Sequence, residues 1–312
     1  MTGGVGVLII AIGAERYIRQ AETLILSLRH NMPALPIAVV TDSDRLDRFG
    51  CQRIAVDYSM PIATAQKLLL DRYSPFDQTL FIDSDCIVTR AFDAQLRDLE
   101  RYDFTPVLEH LVPPDGQDHY VADLGAALDK VGGRAFPKFN GGIYFFKKGE
   151  IATTIFSLAR QYFADYQAYG IRAFDRGGPG DETVLALAMA ATDQLDLYED
   201  AGLLMRTPTG ILGPIHIEPL GGGTRFKRAE GLVEPAICHF AGHFIFRPEY
   251  LLAEEALRRG VPISGLGWAS TTRARLHSRW SQTKRFLHYK KDGIDKRLRR
   301  MQSLVRADRS VA

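Results

Sequence analysis

Three features of the chain predict an α/β fold on a mainly parallel, doubly wound sheet. Short apolar runs of strand length recur, as in strands covered on both faces. Segments with apolar residues at helical spacing separate them. One later run ends in two carboxylates, at the position where open α/β sheets bind ligands.

Val5 to Ile12, VGVLIIAI, is the first strand, and Gly13 ends it. Glu15 to His30 follows, with Ile18, Ala21, Leu24, Ile25 and Leu28 on a helical face. Pro36 to Thr41 repeats the strand pattern and stops at Asp42, and Arg53 to Val56 is a short third strand. Ile62 to Arg72, carrying Lys67, reads as a helix that ends before Ser74-Pro75. Leu80 to Ile82 then runs into Asp83-Ser84-Asp85 and resumes with Ile87 and Val88.

Phe104 to Glu109 reads as a strand, and Ala122 to Lys130 as a short helix in a polar, Pro/Gly-punctuated stretch. Phe139-Asn140-Gly141-Gly142 reads as a turn before the strand IYFF, its glycines allowing close backbone approach to a ligand. Ile151 to Tyr169 is an amphipathic helix. Gly177 to Gly180 sets Asp181 and Glu182 at the start of a helix over Thr183 to Ala191, where the helix dipole alone favours carboxylates. Thr207 to Pro235, containing Arg225, Lys227 and Arg228, reads as a long loop. Ala236 to Phe240 is a short strand delivering His239.

At 312 residues, 46% hydrophobic and 24% charged, the chain has the composition of a soluble globular protein with room for a full core. The N-terminus lacks the charged region and cleavage site of a signal peptide, and no apolar run approaches a membrane span. Three cysteines without Cys-x-x-Cys spacing argue for a reducing, cytoplasmic setting and against a disulfide framework or a zinc knuckle. The net charge of +2 conceals an asymmetry: from Arg273 onward there are 13 Lys and Arg against 3 Asp and Glu, leaving 26 against 34 before it. Residues 1–260 are therefore read as one catalytic domain and 261–312 as a basic C-terminal extension. Within it Leu276, Trp280, Leu287, Ile294, Leu298, Met301 and Val305 fall mostly at three-, four- or seven-residue intervals. That pattern suits an amphipathic helix on an anionic membrane, with residues 273–309 in contact at its inner face. Nucleic acid would also match the charge, but no base-reading aromatic motif accompanies it.

Charges at the end of a buried strand are costly unless something needs them there. Asp83 and Asp85, two apart on extended backbone, point to one side and can share a divalent cation that bridges to phosphate. Alone, Asp-x-Asp is also common in solvated turns. The order of parts around it resembles glycosyltransferases of the GT-A fold, a Rossmann-like architecture, and above all family 8, which includes glycogenin and bacterial lipooligosaccharide galactosyltransferases. KLLLDRYSPFDQTLFIDSD carries most of the likeness, and FNGGIYFF, GDETVLALA and HFAG follow in the family's order, over roughly Val5 to Tyr250.

The resemblance implies a metal site of Asp83, Asp85 and His239, holding manganese or magnesium with the diphosphate of a nucleotide sugar, usually a UDP-sugar. It places Ala11, Ile12, Gly13 and Tyr17 at the base and ribose, Asp42 at the base, Lys67 facing the donor, and Ser84, Gly242 and Arg247 in the same donor half. It sets Asn140 along the sugar and acceptor and Asp181 on sugar hydroxyls. Glu182 stands where the family usually has an amide, so stabilising the cationic transition state, acting as nucleophile and acting as base all stay open for it. A glycan or glycolipid acceptor and retention of configuration come from the same likeness. Arg247-Pro248 follows His239 at a longer spacing than the family's Lys-Pro, which leaves the phosphate-holding cation open between His243, Arg247 and the Arg225 to Arg228 cluster. The competing reading is a haloacid-dehalogenase-like phosphotransferase with Asp83 as nucleophile. At least two strands before the motif, and Ile87 where that family has Thr, oppose it.

Overall fold

A computed structural model describes residues 4–62, 64–174, 177–281 and 283–284. The first apolar run forms β1 (Val5–Ile10), Gly13 turns the chain at φ +80°, and α1 (Glu15–Asn31) runs back along the sheet. β2 (Ile37–Val40) and β3 (Gln52–Ile54) add outward in parallel. The helix expected over Ile62 to Arg72 is a 3-10 segment, Thr64–Leu69, that relaxes into one α-turn, α2 (Leu70–Tyr73). β4 (Gln78–Ile82) pairs in parallel with the other side of β1. β5 (Cys86–Val88) leaves the sheet, and α3 (Asp93–Leu99), β6 (Phe104–Val112), α4 (Leu124–Val131), β7 (Phe136–Lys147), α5 (Glu150–Ala164) and α6 (Asp181–Ala191) follow. β8 (Tyr198–Glu199), β9 (Met205–Arg206), β10 (His216–Glu218), β11 (Gly223–Arg228), β12 (Gly231–Val233) and β13 (Ile237–His239) precede α7 (Pro248–Arg259).

The central sheet runs β3-β2-β1-β4-β7-β6-β8. Its first four strands are parallel, β7 is antiparallel to both neighbours, and β8 runs parallel to β6. Alternation along the strands splits the core in two. Leu8, Phe81, Tyr144 and Phe146 pack with Phe156 of α5 and Val184 of α6; Val7, Ile9, Leu80, Ile82 and Phe145 pack with Leu24 and Leu28 of α1. Each such side chain, fully buried, contributes about 1.5–3 kcal/mol, so the sheet is a rigid floor for what its strand ends carry. β13 joins β5 antiparallel and β9 in parallel beside that edge, and Ile87, Cys238, Phe240, Phe226 and Tyr250 form a third core beneath α7.

Two expectations are corrected. Phe139 to Gly142 is no turn: it lies inside the continuous strand β7. The pairing with β6 jumps from Pro106↔Tyr144 to Val107↔Asn140, so Gly141, Gly142 and Ile143 bulge out of that register while Ile143 keeps its pairing to β4. A bulge of this kind re-aims backbone groups toward a site. The stretch from Thr207 to Pro235 is no bare loop either, because β10, β11 and β12 fold into an antiparallel meander. Its signal was the alternation in TRFKR, where Thr224 and Phe226 are buried and Arg225 and Lys227 exposed. Beyond α7, residues 268–281 are helical, with Ala274, Ser278 and Ser281 buried. Leu287, Ile294, Leu298, Met301 and Val305 lie outside the described residues.

Candidate metal and nucleotide site

Asp83, Ser84 and Asp85 follow the carboxyl end of β4. The backbone N–H of Asp83 donates to Gly142 O at 2.9 Å, and Phe240 N–H donates to Asp85 O at 3.0 Å, so the turn is tied to both β7 and the end of β13. The β5–β13 register sets His239 opposite Cys86 and brings its ring to the carboxylates. His239 Nε2 lies 3.1 Å from Asp85 Oδ1 and 3.6 Å from Asp83 Oδ2.

Asn140 decides which nitrogen of that ring carries the proton. Its Oδ1 accepts from Gly142 N–H at 3.0 Å, and its Nδ2 donates to Thr207 Oγ1 at 3.2 Å, which fixes the amide's orientation. His239 Nδ1 sits 2.7 Å from the same Oδ1, so it must be the N–H donor. Nε2, the other ring nitrogen, faces Asp85 and Asp83: protonated, it donates to Asp85 Oδ1, and with that proton gone its lone pair could ligate a cation while Nδ1 stays held from behind. The glycines of the bulge permit this approach. A Cβ on Gly142 would stand 2.5 Å from His239 Nδ1, and one on Gly141 would stand 2.9 Å from Asp181 Oδ2.

Lys67 joins the two acidic pairs. Its Nζ donates to Asp83 Oδ2 at 2.8 Å and Gly141 O at 2.9 Å, and lies 3.5 Å from Asp181 Oδ2. Asp181 is 4% exposed and also accepts from Tyr144 OH at 2.6 Å. Glu182 Oε1 accepts from Gly141 N–H at 2.7 Å. Neither carboxylate caps its own helix, whose N-cap Gly180 makes no side-chain bond.

The electrostatics follow from these contacts. Burial alone would discharge Lys67, but Asp181 and Asp83 outweigh it and raise its pKa, so it stays charged. Burial raises Asp83 against the pull of Lys67, and Asp85 adds repulsion. Burial works the same way on Asp85, yet the charge and hydrogen bond of His239 overcome it and hold its pKa below the usual range. For His239 burial lowers the pKa, but Asp85, by charge and hydrogen bond, and Asp83 raise it beyond compensation. Glu182 is pushed up by burial and then by Asp181.

This donor set suits a hard or borderline divalent cation: two carboxylates and one imidazole converge, with the histidine oriented from behind. Asp85, Cys86 and His239 place ligand atoms within 4.8 Å of one another, but burial keeps the Cys86 thiol far above its ordinary pKa and therefore protonated. Asp83 comes to the same imidazole while bonded to Lys67.

A cavity of about 720 Å³ opens over this cluster. Ile12, Tyr17, Lys67, Asp83, Ser84, Asp85 and Gly242 line it. Ala11 lies buried behind, its N–H donating to Val40 O. Gly13 donates to Asp42 Oδ1 at 3.3 Å, and both line a neighbouring cleft with Glu15 and Arg53. Asn140 turns to His239 and Thr207, and Arg247 is held bidentately by Glu249. Arg225 lines a separate cavity under α7, and His243 stacks on Phe244. The cation that sequence reasoning missed is Arg16, on the cavity wall with its guanidinium stacked 4.6 Å over the Tyr17 ring. Ile62, Phe174 and Phe246 line the cavity too. Each comes from a different segment, Arg16 from the first turn of α1 and Phe246 from a 3-10 turn, so no shared period links them.

No protein-family model and no curated protein sequence matches the chain. Solved structures do. The chain has the GT-A fold seen in solved glycosyltransferases. The galactosyltransferase LgtC, solved with donor and acceptor sugar analogues, matches with a TM-score of 0.50 and 16% identity, over 76% of this chain and 87% of that one. An active-site mutant of LgtC gives the same values. The bifunctional glycosyltransferase WbbM matches with a TM-score of 0.52 and 13% identity, over 89% of this chain and 52% of that one.

Proposed function

We propose that the protein is a divalent-metal-dependent glycosyltransferase that moves a sugar from a UDP-sugar to a glycan or glycolipid, with retention of configuration. The observation that carries the reading is that an Asn140-oriented His239 meets Asp83 and Asp85 at the carboxyl end of β4, where the two carboxylates line a cavity of about 720 Å³. Manganese or magnesium held there would act as Lewis acid toward the departing diphosphate. Asp85 and His239 are poised to hold the ion, Lys67 to balance Asp83 and Asp181, and Tyr17 and Ile12 to flank the nucleoside. Asp181, fixed by Tyr144 and Lys67, is suited to receive sugar hydroxyls. Glu182, steadied by Gly141 N–H, offers a carboxylate beside the same helix start for the oxocarbenium-like transition state.

The test is release of UDP across a panel of UDP-sugars, with and without manganese, for the wild type and Asp85→Ala. Manganese-dependent release from one donor, lost in the variant, supports the reading and names the sugar. Intact donors together with magnesium-dependent cleavage of a generic phosphate ester would replace it with the phosphotransferase reading.

A cytoplasmic, peripheral location at an anionic membrane belongs to the same proposal. On helix 268–281, Trp268, Leu276 and Trp280 are 81%, 60% and 62% exposed and share a face with Arg273. Lys284 lies 5.2 Å from the Trp280 ring centroid. Aromatic anchors among cations suit a headgroup layer. Among the described residues no helix is long and apolar enough to cross a membrane. Sedimentation with phosphatidylglycerol vesicles, absent with phosphatidylcholine and weakened in Trp280→Ser, is the expected result.

A further inference from the structure

A second, smaller cavity lies where α1, α7 and helix 268–281 meet, and it shares no lining residue with the donor cavity. It measures about 220 Å³. That is below the roughly 300–1,000 Å³ of a site for a drug-sized ligand, so its occupant is a small group.

The cavity is built around a clamped carboxylate. Glu254 of α7, 6% exposed, accepts from Arg19 Nη2 of α1 at 2.9 and 3.1 Å and from Arg258 Nη2 at 2.6 Å. The contact with Arg258 is an ordinary i,i+4 pair along one helix. Arg19 reaches over from another helix, so a single buried carboxylate fixes two guanidinium groups at the cavity wall, and the cost of ordering them is met in the folded protein. Each spends one nitrogen on Glu254. Among the described residues, Nε and Nη1 of both have no other partner.

The facing helix brings Ser270, Arg273, Ala274 and His277 to the same cavity, at the i, i+3, i+4, i+7 spacing of one helical face. Ser270 is 7% exposed, and its hydroxyl makes no hydrogen bond among the described residues. A hydroxyl that deep in a protein ordinarily has a partner. Arg273 has no carboxylate among the described residues either. Glu255, the other acid of the lining, is paired with Arg259 one turn on. Counting Arg259, four guanidinium groups stand against two carboxylates, which leaves positive charge for a ligand.

We propose that this cavity is a binding site for a phosphate group, carried by a small soluble ester or by a lipid headgroup. The planar forks of Arg19, Arg258 and Arg273 match phosphate oxygens, and the Ser270 hydroxyl adds a donor. The site stands apart from the transferase reading and does not depend on it. Arg273 and His277 also line the exposed face of Trp268, Leu276 and Trp280, so a phosphate in the cavity sits at the edge of that face.

The experiment is calorimetry on the full chain, without metal or nucleotide, with glycerol 3-phosphate as ligand and glycerol as blank. Trp268 and Trp280 are the two tryptophans of the chain, so their emission reports on this corner alone. Glycerol 3-phosphate binds and changes the emission, and glycerol does neither. Arg273→Gln weakens binding about tenfold or more, as loss of a charge-assisted hydrogen-bonding group brings, and Ser270→Ala weakens it less. Arg275→Gln, the same charge change on the same helix but outside the cavity lining, binds as wild type does. Arg273 and Arg275 are both exposed, so neither change disturbs the core. Heat no larger than that of glycerol, or binding that Arg273→Gln leaves intact, overturns the site. Sedimentation with phosphatidylglycerol vesicles then names the source of the phosphate. Binding lost in Arg273→Gln and kept in Arg275→Gln assigns it to a lipid; binding equal in the two variants, or absent in wild type, assigns it to a soluble ester.

Discussion

The two acidic pairs of this protein have nearly the same local chemistry and opposite surroundings. Asp83 and Asp85 line a cavity and share one imidazole, whereas Asp181 and Glu182 begin a helix and are tied down by Tyr144, Lys67 and Gly141 N–H. Asp85 keeps lone pairs turned toward space that a cation can enter, while Asp83 shares Lys67 with Asp181. The second pair has its charge answered from within the protein. Role is set by partners, not by residue type.

The sharpest way to break the comparison is Asp85→Ala. It removes the carboxylate nearest His239 Nε2, and manganese-dependent UDP release should fall about 10²–10³-fold, as when one preorganised electrostatic group is lost. Thermal stability of the metal-free protein should also fall where His239 is protonated, because Asp85 is the main partner of that imidazolium, with relief of the repulsion on Asp83 offsetting part of the loss. Steady-state release assays and a melting curve check both halves.

Lys67→Met tests the bridge between the pairs. It leaves Asp83 and Asp181 without their shared cation in a buried setting and should destabilise the fold by about 3–5 kcal/mol, read from urea unfolding. Equal stability would mean that the two carboxylates share a proton and need no cation. Tyr144→Phe removes only the 2.6 Å bond to Asp181 and should cost about 1–3 kcal/mol. Its manganese affinity, measured by calorimetry, should match wild type.

The smallest effect is in the pH dependence. His239 has a raised pKa in the metal-free fold, so the imidazolium contributes stability that is complete below its unfolded value of about 6.5 and is lost as pH rises through the folded value. Manganese needs the unprotonated Nε2, so its affinity should rise over the same interval. Calorimetry and urea midpoints between about pH 6 and 8 should therefore slope in opposite directions, and parallel slopes would take His239 out of the metal site.

Much of this was legible in the chain. The alternation of apolar runs with helical faces marked β1, α1, β2, β3, β4, α5 and α6, and the Asp-x-Asp at the end of β4 marked the site. The bulge in β7 was not legible, because Asn-Gly-Gly reads equally as a turn; only pairing to β4 on one side and β6 on the other keeps it extended. Arg16 and Phe174 were missed because a pocket wall assembled from separate segments, here the start of α1 and the loop before α6, has no shared period in sequence. Arg247, placed with the donor by resemblance, is bonded bidentately to Glu249.

By itself the sequence determined the strand and helix alternation from β1 to β4, the helices α5 and α6, and the strand end that bears the charges, because side-chain periodicity and the cost of burying a carboxylate are local properties. Only the tertiary structure decided that His239 meets Asp85, that Asn140 orients it, and that Lys67 holds Asp83 and Asp181 together. Those contacts depend on the register between β5 and β13 and on the bulge in β7. Register is set by the packing of whole strands, and a shift of one residue would turn His239 to the opposite face.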